Sequence, residues 1–187
     1  LEILVNNALS PHGGVLIERV ATAQQASEAI AGLARLPVRE QIARECVNIA
    51  YGFFSPLEGF MGRADVDSVA REMRLANGYV WSIPIVFDIS EDELNRAGVK
   101  TGDSVLLTHQ GQPLATLQVE EIYSYDKEFL AQQVYGTTDR AHPGVLRTYG
   151  YQDRFLAGPI TLVNQPVINP PFDRFWHTPR QLRQAVA

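Results

Sequence analysis

An α+β domain built around a small, curved barrel is the fold class this sequence predicts, and three observations predict it. Helical and strand patterns are mixed along 187 residues without the regular β-α-β alternation of a parallel sheet. The strand-like segments are short and interrupted by glycine or proline, as at Pro84 and Gly158-Pro159, which suits a sheet that bends and closes. A chain of this length can bury about 70% of its unfolded surface, enough for one good core.

The elements follow in order. "PHGG", Pro11 to Gly14, reads as a turn leading into "VLIERV". Thr22 and Gln25 make a capping-box pair for a first helix with Ala26, Ala29, Ile30 and Leu33 as its apolar stripe, ended by Pro37. Residues 39 to 50 place Ile42, Cys46 and Ile49 on one side of a second helix, with Gly52 as its stop. "YGFFSPLEGFM", residues 51 to 61, then concentrates apolar side chains on a backbone broken by Gly52, Pro56 and Gly59. Ser55 and Glu58 read there as a capping box opening one short turn, and the cluster as a core plug.

Asp65 is the expected cap of a third helix with Val66, Val69, Ala70 and Met73 inward, and Asn77-Gly78 marks a turn. "YVWSIPIVFDI" is rich in strand formers, but Pro84 demotes it to an edge or bulged strand. Ser90 and Glu93 cap a short helix that Gly98 ends. "DSVLLTH" and "LATLQVEEIY", joined at Gln110 to Pro113, read as a hairpin with Ala115, Leu117 and Val119 alternating inward. Phe129, Leu130 and Val134 fall at helical spacing before Gly136; "RFLAGPITLV" is a strand kinked at Gly158-Pro159; Thr178-Pro179 opens a last helix.

Composition excludes several classes of function. Charged residues make up 20% of the chain, net charge is −5, and Lys and Arg are scattered, which argues against nucleic-acid partners. No apolar run is long enough to span a bilayer and no leader pattern opens the chain, so membranes are not expected partners and the expected location is the cytoplasm. Cys46, the single cysteine, falls on an apolar helix face and reads as a buried thiol. The start at Leu1 and the end at Ala187 within a helical pattern suggest a piece of something longer.

Phosphate chemistry needs a glycine-rich loop opening a helix or paired cations, and neither pattern is present. His12, His109, His142 and His177 are too dispersed for metal-ligand spacing. Asp65 and Asp67, or Glu120 and Glu121, read as caps and solvated faces. The most unusual remaining stretch is "YGTTDRAHPGV", residues 135 to 145, where Thr137, Thr138 and Asp139 offer side-chain bonds to one turn and His142-Pro143-Gly144 forces another. Such a rigid loop either pins two elements together or presents Arg140 or His142 to a partner.

Taken together, "PHGG", "GFFSPLEGFM", "GTTDRAHPGV", the "AGP" of Ala157 to Pro159 and the "TPRQLR" helix resemble the amino-terminal domain of the sulfate adenylyltransferase family. The resemblance implies a PUA-like barrel over residues 1–170, and a connector with a helix over 171–187 leading toward an absent catalytic domain. It implies that the full enzyme joins ATP, with Mg, and sulfate into adenosine 5′-phosphosulfate and pyrophosphate, and that the full-length protein is a homo-oligomer. The family's Q-x-R-N and H-x-x-H signatures, which hold phosphates and sulfate, belong to that later domain and do not occur here. The resemblance therefore assigns no catalytic, cofactor-binding or metal residue to this chain. Because the loop and the last helix carry more rigid or apolar features than a free surface needs, the expected interface with a catalytic domain of the same or a separate chain lies at Thr137, Thr138, Asp139, Arg140 and His142 in the loop, and at Leu182 and Val186 on the last helix. The competing class is a free-standing PUA-like module binding RNA or protein.

Overall fold

In the computed structural model, residues 10–165, 168 and 170–186 are described. The chain is α+β and divides into two compact units. One comprises the described residues of Leu1–Gly59, Leu106–Leu117 and Ile160–Ala187; the other comprises Phe60–Val105 and Gln118–Pro159.

In the first unit the segment before helix α1 (Ala23–Ala29) is fixed by backbone pairing: Arg19 N–H donates to Ala50 O, and Val20 bridges Leu162 in parallel. Thr22 and Gln25 cap α1 reciprocally, as the sequence predicts, but the helix stops at Ala29 and buries none of its residues. Residues Ala34–Pro37, expected to be helical, form strand β1. The reason is tertiary: Leu36 is fully buried, β1 lies beside strand β4 (Ser104–His109), and the following Val38 N–H reaches Thr108 O.

Helix α2 (Glu40–Ala50) buries Ile42, Ala43, Cys46, Ile49 and Ala50. Burial also pushes the Cys46 thiol well above its ordinary range, so it stays a neutral apolar group. Strand β4 continues through a tight Gln110-Gly111 turn into strand β5 (Gln112–Gln118), shorter than the expected Gln110–Pro113 connection because both turn residues adopt positive φ. Beyond β5 lies the end of the long strand β7 (Arg154–Leu162), where Ala115, Thr116 and Leu117 face Leu162, Thr161 and Ile160 antiparallel. Leu106, Leu107, Leu117, Ile160 and Leu162 are fully buried from these strands.

The "YGFFSPLEGFM" stretch corrects one expectation. No helical turn starts at Ser55; strand β2 is the short Gly59–Phe60. Ser55 Oγ accepts from Ile17 N–H (3.0 Å) and donates to Gly52 O (2.8 Å), and Glu58 turns outward to Arg19 (2.6 Å). Both halves of the supposed capping box are thus committed to other partners. The plug reading holds for Leu57, Phe60 and Met61, which are buried, while Phe53 is exposed. Because Ser55 is itself buried, Ser55→Ala removes the acceptor of Ile17 N–H and is expected to cost about 1–3 kcal/mol. A lowered urea midpoint with an unchanged slope checks this.

In the second unit, helix α3 (Arg63–Glu72) has Gly62, not Asp65, at its N-cap; Asp65 lies in the first turn and its carboxylate accepts from Ala76 N–H at 2.8 Å. Val66, Val69 and Ala70 are buried as expected. Met73 is not: as the C-cap it adopts φ 53, which turns its side chain out of the helical stripe into solvent. The β-rich run shortens to strand β3 (Phe87–Ile89), with Pro84 buried outside it. Helix α4 (Glu91–Ala97) carries the predicted Ser90 cap and Gly98 stop.

Strands β3 and β6 (Glu121–Tyr123) both pair antiparallel with the first part of β7, so that Leu156 lies opposite Phe87 on one side and Ile122 on the other. Helix α5 (Lys127–Tyr135) packs against α3 and against helix α6 (Pro143–Tyr149), which stands where the sequence predicts only a loop.

Candidate interdomain interface

The five loop candidates sit in the second unit, between α5 and α6. Gly136 ends α5 with φ 70, as a glycine stop should. Asp139 N–H donates to Thr137 Oγ1 (3.1 Å) and Ala141 N–H to Asp139 Oδ1 (2.9 Å), so the side chains expected to pin a turn do so. The second expected turn is instead the start of α6. His142 is its N-cap: Nδ1 accepts from Gly144 N–H (3.1 Å) and Val145 N–H (3.4 Å), and Pro143 occupies the first turn. Nδ1 acting as acceptor places the neutral ring's proton on Nε2. The ring also lies 5.0 Å from that of Tyr135.

An N-capping imidazole is hard to read from the sequence because Ser, Thr, Asp and Asn are the usual caps; Pro143 at the first helical position is the available signal. Arg140 lies 4.6 Å from the Tyr149 ring centre, so its guanidinium is held against an aromatic face while remaining exposed. Asp139, Arg140 and His142 are exposed, and Thr137 and Thr138 half-buried.

The other two candidates belong to the first unit. Pro166, Val167 and Asn169, which precede the predicted connector, and Ala187 at its end lie outside the described residues. Within 171–187 come a 3₁₀ turn (Asp173–Phe175) and then helix α7 (Pro179–Val186). Thr178 and Gln181 cap α7 reciprocally, Thr178 N–H to Gln181 Oε1 at 2.9 Å and Gln181 N–H to Thr178 Oγ1 at 3.2 Å. Leu182 is 56% and Val186 63% exposed, one turn apart on the same helix face, and α7 buries none of its residues. Two neighbours were not anticipated: Phe172 is 69% and Phe175 66% exposed. They sit in a proline-rich stretch that reads as linker, a kind of segment in which aromatic residues are few.

Contacts of Trp176 and Arg180 tie this segment to its own unit. Trp176 packs edge-on to Tyr51, centroids 5.2 Å apart, and Arg180 Nε donates to Glu18 at 2.6 Å. The hydrogen bond from Arg180 holds the Glu18 carboxyl below its usual range, more than burial raises it. A lowered folded-state pKa means the contact is present above the ordinary carboxylate pKa and is lost as pH falls through the lowered one. Acidification is therefore expected to loosen α7 before the unit unfolds, and only slightly, because solvent screens an exposed pair. In a Trp81→Phe background, Trp176 fluorescence should report an early acid transition in wild type that Glu18→Gln removes.

Elsewhere in this unit His109 joins Glu40 (Nε2 to Oε2, 2.9 Å) and Val38 O (Nδ1, 3.2 Å) at the edge of a cavity of about 580 Å³. Among the described residues no group of three or more His, Cys, Asp or Glu is placed to hold a metal ion, and no helix is long and apolar enough to cross a membrane.

The model of a family described as a PUA-like domain matches residues 9–165. The chain belongs to the PUA-like domain family. Beyond this PUA-like core, the chain is 40% identical over 176 residues to a sulfate adenylyltransferase of Hyperthermus butylicus, covering 92% of itself but 44% of that protein. It is 40% identical over 182 residues to the sulfate adenylyltransferase of Synechococcus sp. (strain JA-3-3Ab), with 95% and 46% covered. For the sulfate adenylyltransferase of Chloroflexus aurantiacus the identity is 42% over 174 residues, with 93% and 44% covered. The PUA-like chain thus spans less than half the length of these relatives. Among solved structures it superposes on a hexameric APS kinase from Thiobacillus denitrificans with a TM-score of 0.71 and 23% identity, covering 95% of this chain and 31% of that one, a likeness of fold.

Proposed function

We propose that this PUA-like chain is the amino-terminal, non-catalytic domain of a sulfate adenylyltransferase, whose full-length form joins ATP and sulfate into adenosine 5′-phosphosulfate and pyrophosphate. The observation that carries the reading is the coverage: about 40% identity along nearly the whole chain, against 44–46% of the length of the relatives. In-line attack of sulfate on the α-phosphorus requires concentrated positive charge and fixed donors around the transferring group. On this reading those groups, and the ATP with its Mg²⁺, belong to a catalytic domain in the same or a separate chain.

The role of the present chain is then structural. The Thr137–His142 loop and the exposed apolar side chains of Leu182 and Val186 form its contacts to that domain, with Phe172 and Phe175 extending the second surface. The structural neighbour is described as hexameric, which supports a homo-oligomeric full-length protein. A reducing cytoplasm suits the single buried thiol.

A pyrophosphate-release assay tests the assignment. The isolated chain with ATP, Mg²⁺ and sulfate is expected to release none above the blank, and the full-length protein, or the two parts mixed, to release it steadily. Turnover by the isolated chain, or inactivity of the full-length protein, would overturn the reading.

A further inference from the structure

We propose that Asn77 is a site of spontaneous deamidation, which converts the turn at Asn77-Gly78 into a mixture of aspartate and isoaspartate. The two residues form the tip of a narrow ribbon in the second unit. Trp81 N–H donates to Met73 O (2.9 Å), Leu75 N–H to Tyr79 O (2.8 Å), and Arg74 bridges Val80. Ala76, Asn77 and Gly78 at the tip are all exposed.

The reaction needs the Gly78 amide nitrogen to attack the Asn77 side-chain carbonyl carbon. The new N–C bond closes a five-membered succinimide, the side-chain nitrogen leaves as ammonia, and the proton of the Gly78 amide is given up to solvent or to the leaving group. Water then opens the ring at either carbonyl, giving aspartate or, with the backbone rerouted through the side chain, isoaspartate.

Three features favour this at Asn77. Gly78 has no side chain to block the approach, and the space a Cβ would occupy is open, with no atom within 4 Å. The Asn77 side-chain oxygen accepts from Tyr79 N–H at 3.3 Å, which holds the amide beside the attacking residue and polarises its carbonyl. The opposing feature is a hydrogen bond from Gly78 N–H to Leu75 O at 2.8 Å, which must open first. A single backbone hydrogen bond of this kind is worth about 1 kcal/mol net, so the tip opens without unfolding the unit.

The other described asparagines lack the combination. Asn48 and Asn95 lie inside α2 and α4 and are followed by Ile49 and Arg96, and Asn164 is followed by Gln165. Conversion would add a negative charge to a chain already at −5 and, as isoaspartate, lengthen the backbone of a tight turn.

The test ages the folded chain in mildly alkaline buffer and maps peptides by mass, with enzymatic isoaspartate methylation as a second readout and urea-denatured chain as a parallel arm. The expected result is a one-dalton gain confined to the peptide holding Asn77, faster as pH rises, labelled as isoaspartate, and lost in Asn77→Gln and Gly78→Ala. Conversion in the denatured chain with none in the folded chain would show that the turn protects Asn77 and would overturn the proposal. So would equal conversion at Asn48, Asn95 and Asn164 in the folded chain.

Discussion

Gly158→Ala is expected to lose more than about 4 kcal/mol of stability, a large part of the roughly 5–15 kcal/mol that keeps a domain folded. Two independent causes act at this position. Gly158 has φ 136, a conformation that residues with a Cβ rarely adopt. A Cβ built there would also lie 2.0 Å from Gln118 O and 3.1 Å from Glu120 N, both backbone atoms that cannot rotate away. The close approach belongs to the architecture: β7 pairs through Phe155, Leu156 and Ala157 with β6, and from Ile160 onward with β5. Gly158 is where the strand passes the β5–β6 junction, and Glu120 N–H bonds Ala157 O there at 2.9 Å. Circular dichroism and urea unfolding check the outcome, with an exposed substitution such as Gln132→Ala as the control. A midpoint within about 1 kcal/mol of wild type would show that the junction is looser than described.

This same position shows how far the sequence can be read. Gly158-Pro159 is legible as a break in a strand; that the break accommodates a neighbouring backbone is not, because Gln118 is far away in the chain. The helices are legible wherever their signals are local. Ser90, Glu93 and Gly98 delimit α4 at close range, and the Ile42, Cys46 and Ile49 stripe delimits α2.

Much of what fails depends on distant partners. Ala34–Pro37 has weak strand propensity and forms β1 because β4 is beside it. Ser55 satisfies every local criterion for a cap, yet its hydroxyl serves Ile17 and Gly52. The interface candidates divide the same way. The exposed helical placement of Leu182 and Val186 is legible from their spacing, and the side-chain bonds of Thr137 and Asp139 from turn chemistry. Phe172 and Phe175 escape notice because linker composition outweighs two aromatic residues, and His142 reads as a presented group although its ring caps α6.

Leu182→Glu is expected to have sharply different consequences in two forms of the protein. In the isolated chain the side chain is mostly exposed on a helix that buries nothing, so the substitution should change stability by no more than about 0.5 kcal/mol. An eight-residue helix is marginal by itself. Here its capping box and the Arg180 and Trp176 contacts hold it in place, which leaves its apolar face free to receive something else. If that something is the catalytic domain, the introduced carboxylate would meet an apolar surface with no cation arranged for it. An uncompensated buried charge of this kind costs about 3–5 kcal/mol. In the full-length protein the substitution should therefore split a single urea transition into two and cut pyrophosphate release sharply, while Leu182→Met leaves both nearly unchanged. The comparison separates docking from a general effect on folding, because the same residue is altered in both forms. A small, equal effect in the isolated and full-length proteins would mean that α7 faces solvent in both and that the domains meet elsewhere.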